Sequence, residues 1–434
     1  MRITTVETFV LSNRRALVRI GTDEGVVGWG EPVLENWART TAAAVARMAE
    51  HLVGADPLRI THLWQVLARG GFYRGGAVLA SAVAGVDQAL WDLKGRWLGV
   101  PVHELLGGAT RDRVRVYAHA SADDRFGSPE RARRLVADGF TMVKCAPPGR
   151  LDPIDRPSAV DRAVRDLEEL RDAVGADVDI AIDLHGRSSV ANSRRLLARL
   201  DGVAPVFVEE PLRPEHSARI GDVVRSTTIP IATGERLYSR EEFRPVLEQG
   251  IAVAQPDLSH AGGITECFRI GTMAESYDVL VAPHCPLGPV ALAACLQLDL
   301  ALPNVLAQEM VVMPQYGAGT GAELLRNPDV LAVRDGFVER LTGPGLGIEV
   351  DEDAVRAAAV AGALAPGSPV WAAPDGAFAE WGPVVGGTAP HGSGGAWRGR
   401  PVPPVRQAVP FPAISGTWWR PVVPPHRHRV STRR

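Results

Sequence analysis

Asp179-Ile180-Ala181-Ile182-Asp183-Leu184-His185 is a short apolar run closed by an acid, with a histidine two residues beyond it. Helical text follows, and the same arrangement then recurs along the chain. Residues 205–208 end at Glu209, 230–234 at Glu235, 251–256 at Asp257, 279–283 at His284 and 305–308 at Glu309. Upstream, Thr141-Met142-Val143 ends at Lys144, and the run 114–118 comes before it. From Lys144 to Asp183 is 39 residues, and the later steps are 26, 26, 22, 27 and 25. One strand, one helix and two short loops need roughly 25–30 residues. Eight such units predict a parallel (β/α)8 barrel, with its active site at the carboxyl ends of the strands. A doubly wound sheet would explain the alternation but not seven ionisable residues at seven strand ends, where a purely structural end is more often Gly, Asn or Ser.

Outward from this core the texture changes. The first ~35 residues alternate as a β-meander, with Thr22-Asp23-Glu24-Gly25 as a turn. Helical patterns follow at 38–53, 57–69 and 77–97, the last with Val83, Val86, Leu90 and Leu93 at helical spacing. Strands then helices describe an α+β capping domain at 1–113, ahead of a barrel at 114–333. Residues 334–381 return to strand-like, turn-rich text and are expected to pack back on the cap. Residues 382–434, with ten prolines and many glycines, read as a disordered tail.

Hydrophobic content of 46% and charged content of 22% suit a soluble globular protein. The net charge of −3 gives no nucleic-acid footprint, but it hides an asymmetry. Eight arginines and no acid follow Glu380, which leaves −11 on residues 1–381. An acidic body that binds an anion needs local cations, most simply a metal. A basic arm for nucleic acid is the weaker reading of the tail. Cys145, Cys267, Cys285 and Cys295 form no C-x-x-C pair, no charged leader with an apolar core opens the chain, and no 18-residue apolar run occurs. The expectation is a cytoplasmic protein without zinc, redox or membrane-spanning segments. Gly317-x-Gly319-x-Gly321 lacks the strand–turn–helix context of a nucleotide site.

Asp183, Glu209 and Glu235 end three successive predicted strands. Three convergent carboxylates repel unless a cation lies among them, and hard oxygen donors without Cys or His favour one Mg²⁺ per subunit. Glu210 faces the other way on its strand and is the second choice for Glu209. His284 and Asp257 end neighbouring strands, so the acid can fix the imidazole tautomer and make His284 a general base. His185 faces the same way as Asp183, and strands three and seven oppose each other in an eight-membered ring. The two histidines would flank a substrate, one removing a proton and the other delivering one. Glu309 is expected to hydrogen-bond a developing enolate oxygen, and Lys144 to bring positive charge near the substrate carboxylate. These parts suit α-proton abstraction beside a carboxylate and loss of a β-hydroxyl, giving a 2-keto-3-deoxy acid.

The set Asp183-x-His185, Glu209, Glu235, Asp257, His284 and Glu309 resembles the mandelate racemase subgroup of the enolase superfamily. The stretches Gly71-Phe-Tyr-Arg-Gly-Gly76, Gln255-Pro-Asp-Leu-Ser-His-Ala-Gly-Gly-Ile-Thr-Glu266 and Ala282-Pro-His-Cys-Pro-Leu-Gly-Pro289 resemble the D-galactonate dehydratases within it. The likeness runs from about Met1 to Trp381. It implies Mg²⁺ on the three acids, His284 with Asp257 as base, His185 as the acid that expels the 3-hydroxyl, and Glu309 stabilising the intermediate. It also implies a small-molecule sugar acid as partner and a homo-oligomer. Racemases of the superfamily carry a second lysine where this chain has Ala146, so a two-base racemase is not expected. The dehydratases carry an amide side chain there, so Ala146 and the Pro147-Pro148 loop leave the exact sugar open, and another aldonic or aldaric acid dehydratase or epimerase stands as the alternative. Arg14, Asp23 and Tyr73 are the expected substrate contacts from the cap, with Trp37 in the same region. A non-catalytic protein using its basic tail is the reading from another class.

Overall fold

The computed structural model describes residues 1–12, 14–120, 127–147, 152, 154–316, 320–361, 371–372 and 378–379. The expected tail 382–434, most of 362–381, Pro148 and the glycine run at 317–319 lie outside the described residues.

The chain opens with an antiparallel three-stranded sheet of β1 (Ile3–Ser12), β2 (Arg15–Thr22) and β3 (Val27–Gly30). Helices α1 (Ala38–Leu52), α2 (Ile60–Arg69) and α3 (Ala77–Leu98) pack on it. Val83, Val86, Leu90 and Leu93 of α3, at the helical spacing read from the sequence, are buried against Ile3, Val18, Ile20, Val45 and Leu52. Gly99, in the left-handed region at φ 70°, terminates α3 without Cβ strain. The approach of α3 to the sheet is close enough to demand glycine. A Cβ on Gly30 would lie 1.9 Å from the Gly85 carbonyl oxygen, and one on Gly85 would lie 2.4 Å from Pro32.

Eight parallel strands follow: β4 (Arg113–His119), β5 (Met142–Cys145), β6 (Asp179–Asp183), β7 (Phe207–Glu209), β8 (Ile231–Thr233), β9 (Val253–Ala254), β10 (Leu280–Val281) and β11 (Gln308–Glu309). Each of β4 to β10 pairs with the next, and β11 pairs back with β4 through Gln308↔Val116 and Glu309↔Tyr117. A parallel bridge between Val281 and Val305 closes the ring between β10 and β11. The interior is filled by Tyr117, Met142, Ala181, Phe207, Ala232 and Val253 from six strands, with Ala282 directly after β10 and Ala307 directly before β11. Three large and five small side chains fill this layer, so the ring is a packed core and chemistry is confined to its rim.

The helices between the strands start where the sequence supplies caps. Ser128, Ser189 and Ser239 accept hydrogen bonds from the backbone N–H of Arg131, Asn192 and Glu242, at the heads of α4 (Pro129–Ala137), α6 (Val190–Leu197) and α8 (Arg240–Leu247). Between them, α5 (Pro157–Val174) lies within the long 39-residue step, and α7 (Ile220–Val224), α9 (Gly263–Glu275) and α10 (Pro289–Ala301) complete the set.

The segment beyond the barrel divides its contacts, where the sequence suggested packing on the cap. A hairpin of β12 (Val333–Arg334) and β13 (Phe337–Glu339) pairs antiparallel with β4, on the barrel itself. The helix α11 (Glu352–Ala361) returns to the cap, where Glu352 pairs with Arg19 and Arg356 with Glu7.

Candidate active site

The strand ends bring their charges to one rim. Asp183 and Glu209 stand opposite each other in the β6–β7 register. Glu235 lies two residues past β8, carried there by Gly234 at φ 150°, where a Cβ would meet the Gln255 backbone at 2.8 Å. One carboxylate oxygen from each of Asp183, Glu209 and Glu235 lies within 4.8 Å of the others. Glu209 Oε2 is buried with no hydrogen-bond partner, while buried Asp183 Oδ2 and Glu235 Oε2 meet only ion-pair neighbours, Lys144 and His185 for the first and His284 for the second. Buried carboxylate oxygens short of donors are costly, and three at one point fit a hard divalent cation. Burial raises the Glu209 carboxyl well above its usual range, and the neighbouring Asp183 charge adds to it. That is the electrostatic signature of a site short of positive charge. Glu210 is committed elsewhere: it accepts from Thr233 Oγ1 at 2.5 Å and pairs with Arg236, so Glu209 is the donor at the rim.

Lys144 is fully buried, with Nζ at 2.7 Å from Glu209 Oε1, 2.9 Å from Glu309 Oε1 and 3.1 Å from Asp183 Oδ2. Burial alone would lower its pKa, but Asp183, Glu209 and Glu309 outweigh it and hold the ammonium well above its usual range. This is the resident cation of the rim, shared among three acids.

Asp257 and His284 form a parallel bridge, and His284 Nδ1 donates to Asp257 Oδ2 at 2.8 Å. The other ring nitrogen, Nε2, lies 3.3 Å from Glu235 Oε2, so the dyad opens onto the carboxylate cluster. Burial would lower the His284 pKa, yet Glu235, Glu309 and Asp257 together raise it well above the ordinary value. His185 adopts a left-handed backbone at φ 52° and brings its Nε2 to 3.0 Å from Asp183 Oδ2. Burial, with Lys144 and Arg187 adding to it and Asp183 opposing, lowers it to about 4. The two imidazoles thus reach the same cluster in opposite electrostatic settings, with His284 favoured as the imidazolium by its carboxylate neighbours and His185 held neutral by burial.

Two expectations, at Asp23 and Tyr73, are corrected, and Glu309, expected to hydrogen-bond a developing enolate oxygen, accepts from three donors at this rim. His119 Nε2 (2.6 Å) and Lys144 donate to Oε1, and the Cys285 backbone N–H (2.8 Å) donates to Oε2. Burial would raise it, but Lys144, His284 and His119 hold it well below the usual carboxylate range. Its contacts let it orient Lys144 and His119. Asp23 sits in the β2–β3 turn, where it accepts from the Arg2 backbone N–H at the end of β2 remote from Arg14. Tyr73 is 88% exposed and lines a separate cavity of about 550 Å³ with Trp64, Arg69 and Tyr238. Arg14 is at the correct end of its hairpin, exposed and 4.0 Å from Glu35. Trp37 is half-exposed in the same connection as Glu35. Ala146 is buried directly after β5.

Sequence reasoning missed His119 and His260. His119 is the terminal residue of β4, one position past the run 114–118, and counting it would have given all eight strand ends an ionisable residue. His260 lies inside the quoted stretch 255–266, three residues after Asp257, and its Nδ1 is 3.5 Å from Asp257 Oδ2.

Comparison with known proteins shows the family. Residues 1–107 match the mandelate racemase/muconate lactonizing enzyme N-terminal domain, and residues 128–354 match the enolase C-terminal domain-like family. D-galactonate dehydratase of Variovorax paradoxus is 48% identical over 388 residues, covering 88% of this chain and all of that protein. D-galactonate dehydratase of Pectobacterium atrosepticum is 46% identical over 387 residues with the same coverage. A crystal structure described as a dehydratase from Mesorhizobium loti superposes with a TM-score of 0.75 at 33% identity, covering 82% of this chain and 98% of its own. The chain therefore belongs to the D-galactonate dehydratase family, within the mandelate racemase/muconate lactonizing enzymes of the enolase superfamily.

Proposed function

We propose that the chain is a hydro-lyase that removes water from D-galactonate, with Mg²⁺ held by Asp183, Glu209 and Glu235. The observation that carries the reading is the Asp257–His284 dyad opening at 3.3 Å onto the carboxylate cluster. It puts a general base beside the place where a substrate carboxylate would be neutralised. Sugar-acid dehydration is also what the family relationship supports.

The cation, when bound, supplies positive charge that stabilises the anion formed as the α-proton leaves. His284 removes the C2 proton, its Nδ1–H held by Asp257. With the charge of Glu235 offset, His284 loses the foremost of the neighbours that keep it protonated, and its Nε2 becomes a base. Lys144, anchored by Glu309, adds a second fixed cation at the same rim. His185, held neutral by burial in the free site, takes up a proton when the anionic substrate lies beside it and delivers that proton to the departing 3-hydroxyl, and the resulting enol ketonises to the 2-keto-3-deoxy acid. Ala146 offers no hydrogen bond to a substrate hydroxyl, which favours another aldonic or aldaric acid as the second reading.

The free, buried cysteines support a reducing cytoplasmic setting, and the exposed Phe72–Tyr73 pair supports association between copies of the chain. No helix among the described residues is long and apolar enough to cross a membrane. The reading is tested by incubating the enzyme with a panel of aldonates and aldarates, with Mg²⁺ and with EDTA, and assaying 2-keto acid. D-galactonate should be converted with Mg²⁺ and not with EDTA. Conversion of a different acid alone would transfer the assignment to the second reading.

A further inference from the structure

The cap reaches into the catalytic dyad through one buried imidazole. His260 is 5% exposed and lies outside the three-carboxylate set. Its Nδ1 is 3.5 Å from Asp257 Oδ2, its Nε2 is 3.1 Å from Glu35 Oε2, and its ring centroid is 6.3 Å from that of His284. Asp257 Oδ1 accepts from the Ser259 backbone N–H at 2.6 Å. The Asp257 carboxylate is thus fixed by Ser259, His284 and His260; Gln88 of α3 donates to the Ser259 hydroxyl at 3.2 Å, and His260 is the neighbour whose own side chain pairs with an acid of the cap. Glu35 belongs to the connection between β3 and α1. Four residues earlier, buried Glu31 accepts from the backbone N–H of Gly288 (2.9 Å) and Ala291 (3.0 Å). Those two groups open α10, at the end of the loop that begins with His284. The cap connection therefore grips both the partner of the base and the loop that carries it.

We propose that Glu35, acting through His260, is a positioning residue that holds Asp257 against His284 and so sets the rate of C2 proton abstraction. The charge balance supports this. A further buried acid beside Asp183, Glu209, Glu235, Asp257 and Glu309 is destabilising unless it carries its own cation. Burial would lower His260, but Asp257 and Glu35 outweigh it and raise it to about 9, so the imidazolium serves both acids. A staple that only held the two domains together would affect folding and leave the dyad as it was.

The inference rests on the dehydratase reading, and the test separates the two. The full-length parent, Glu35→Gln, Glu35→Asp and His260→Gln are assayed with Mg²⁺, D-galactonate and C2-deuterated D-galactonate. Glu35→Gln and His260→Gln should lower kcat by ~10–100-fold, the usual range for residues that orient a reacting group. KM should move by less than about threefold in His260→Gln, which touches none of the expected substrate contacts, while Glu35→Gln also releases Arg14 and is read on kcat and the isotope effect. The deuterium isotope effect on kcat should rise as proton abstraction becomes slower, and Glu35→Asp should recover part of the loss. Parent-like kcat and isotope effect in folded variants would overturn the proposal. So would losses that track thermal unfolding alone. A parent without activity on D-galactonate would count against the dehydratase reading and not against positioning. The low-field Nδ1 proton resonance of His284 is then read in the Mg²⁺-loaded parent and Glu35→Gln. It should move in the variant, and an unmoved resonance would overturn the proposal.

Discussion

His284 and His185 reach the same carboxylate cluster from β10 and β6, strands seven and three of the ring, and the account assigns them separable steps. His284→Asn should lower turnover by ~10²–10⁴-fold, the usual contribution of a general base, while calorimetric Mg²⁺ affinity stays near the parent's because no metal donor is lost. His185→Asn should still exchange the C2 hydrogen with D₂O, followed by NMR, while forming little 2-keto acid. Loss of exchange with normal substrate binding would merge the two roles. The donors and the dyad were legible in the sequence because a parallel barrel places strand-end residues on one rim, whatever the loops do. Asp23 and Tyr73 were not. Arg14 and Asp23 stand at opposite ends of a strand roughly 26 Å long, and alternation along a hairpin says nothing about which end meets the barrel. Glu309 was found by position, but its partner His119 was read past, one residue beyond the run 114–118.

At the level of elements, packing within the cap rests on small residues, and its contact with the barrel on buried acids. Gly85→Ala should destabilise the protein by about 1–3 kcal/mol through overpacking against Pro32, measured by denaturant unfolding. Asp87 on α3 accepts from the Thr265 backbone N–H and hydroxyl on α9, and burial pushes its carboxyl up to about 7 from the usual 3.8. A raised pKa means that the folded state binds the proton more tightly than the unfolded state. This group therefore removes stability as pH rises from about 4 to about 7, and beyond that its cost is constant. Asp87→Asn should accordingly gain stability relative to the parent between pH 5 and 8, seen as a widening difference in Tm. A difference independent of pH would contradict the ionisation of Asp87 in that window. The cap helices were legible from apolar spacing. The pairing of β13 with β4 was not, because strands of two or three residues carry too short a period to read.

For the whole molecule, the net acidity of the body and the clustering of its carboxylates predict a protein stabilised by its metal. Saturating Mg²⁺ should raise Tm above the EDTA value, since about 2.7 kcal/mol accompanies a ligand at a hundred times its Kd. Deleting residues 382–434 should leave turnover unchanged, because the donors and the dyad all lie between Asp183 and Glu309. The most direct test of the central claim is Mg²⁺ titration calorimetry on the parent and on Asp183→Asn, Glu209→Gln and Glu235→Gln, with 2-keto acid formation from D-galactonate assayed in the same samples. The account predicts one ion per subunit in the parent, and loss of both binding and turnover in each variant. Parent-like Mg²⁺ binding in all three variants, or undiminished turnover in EDTA, would contradict it.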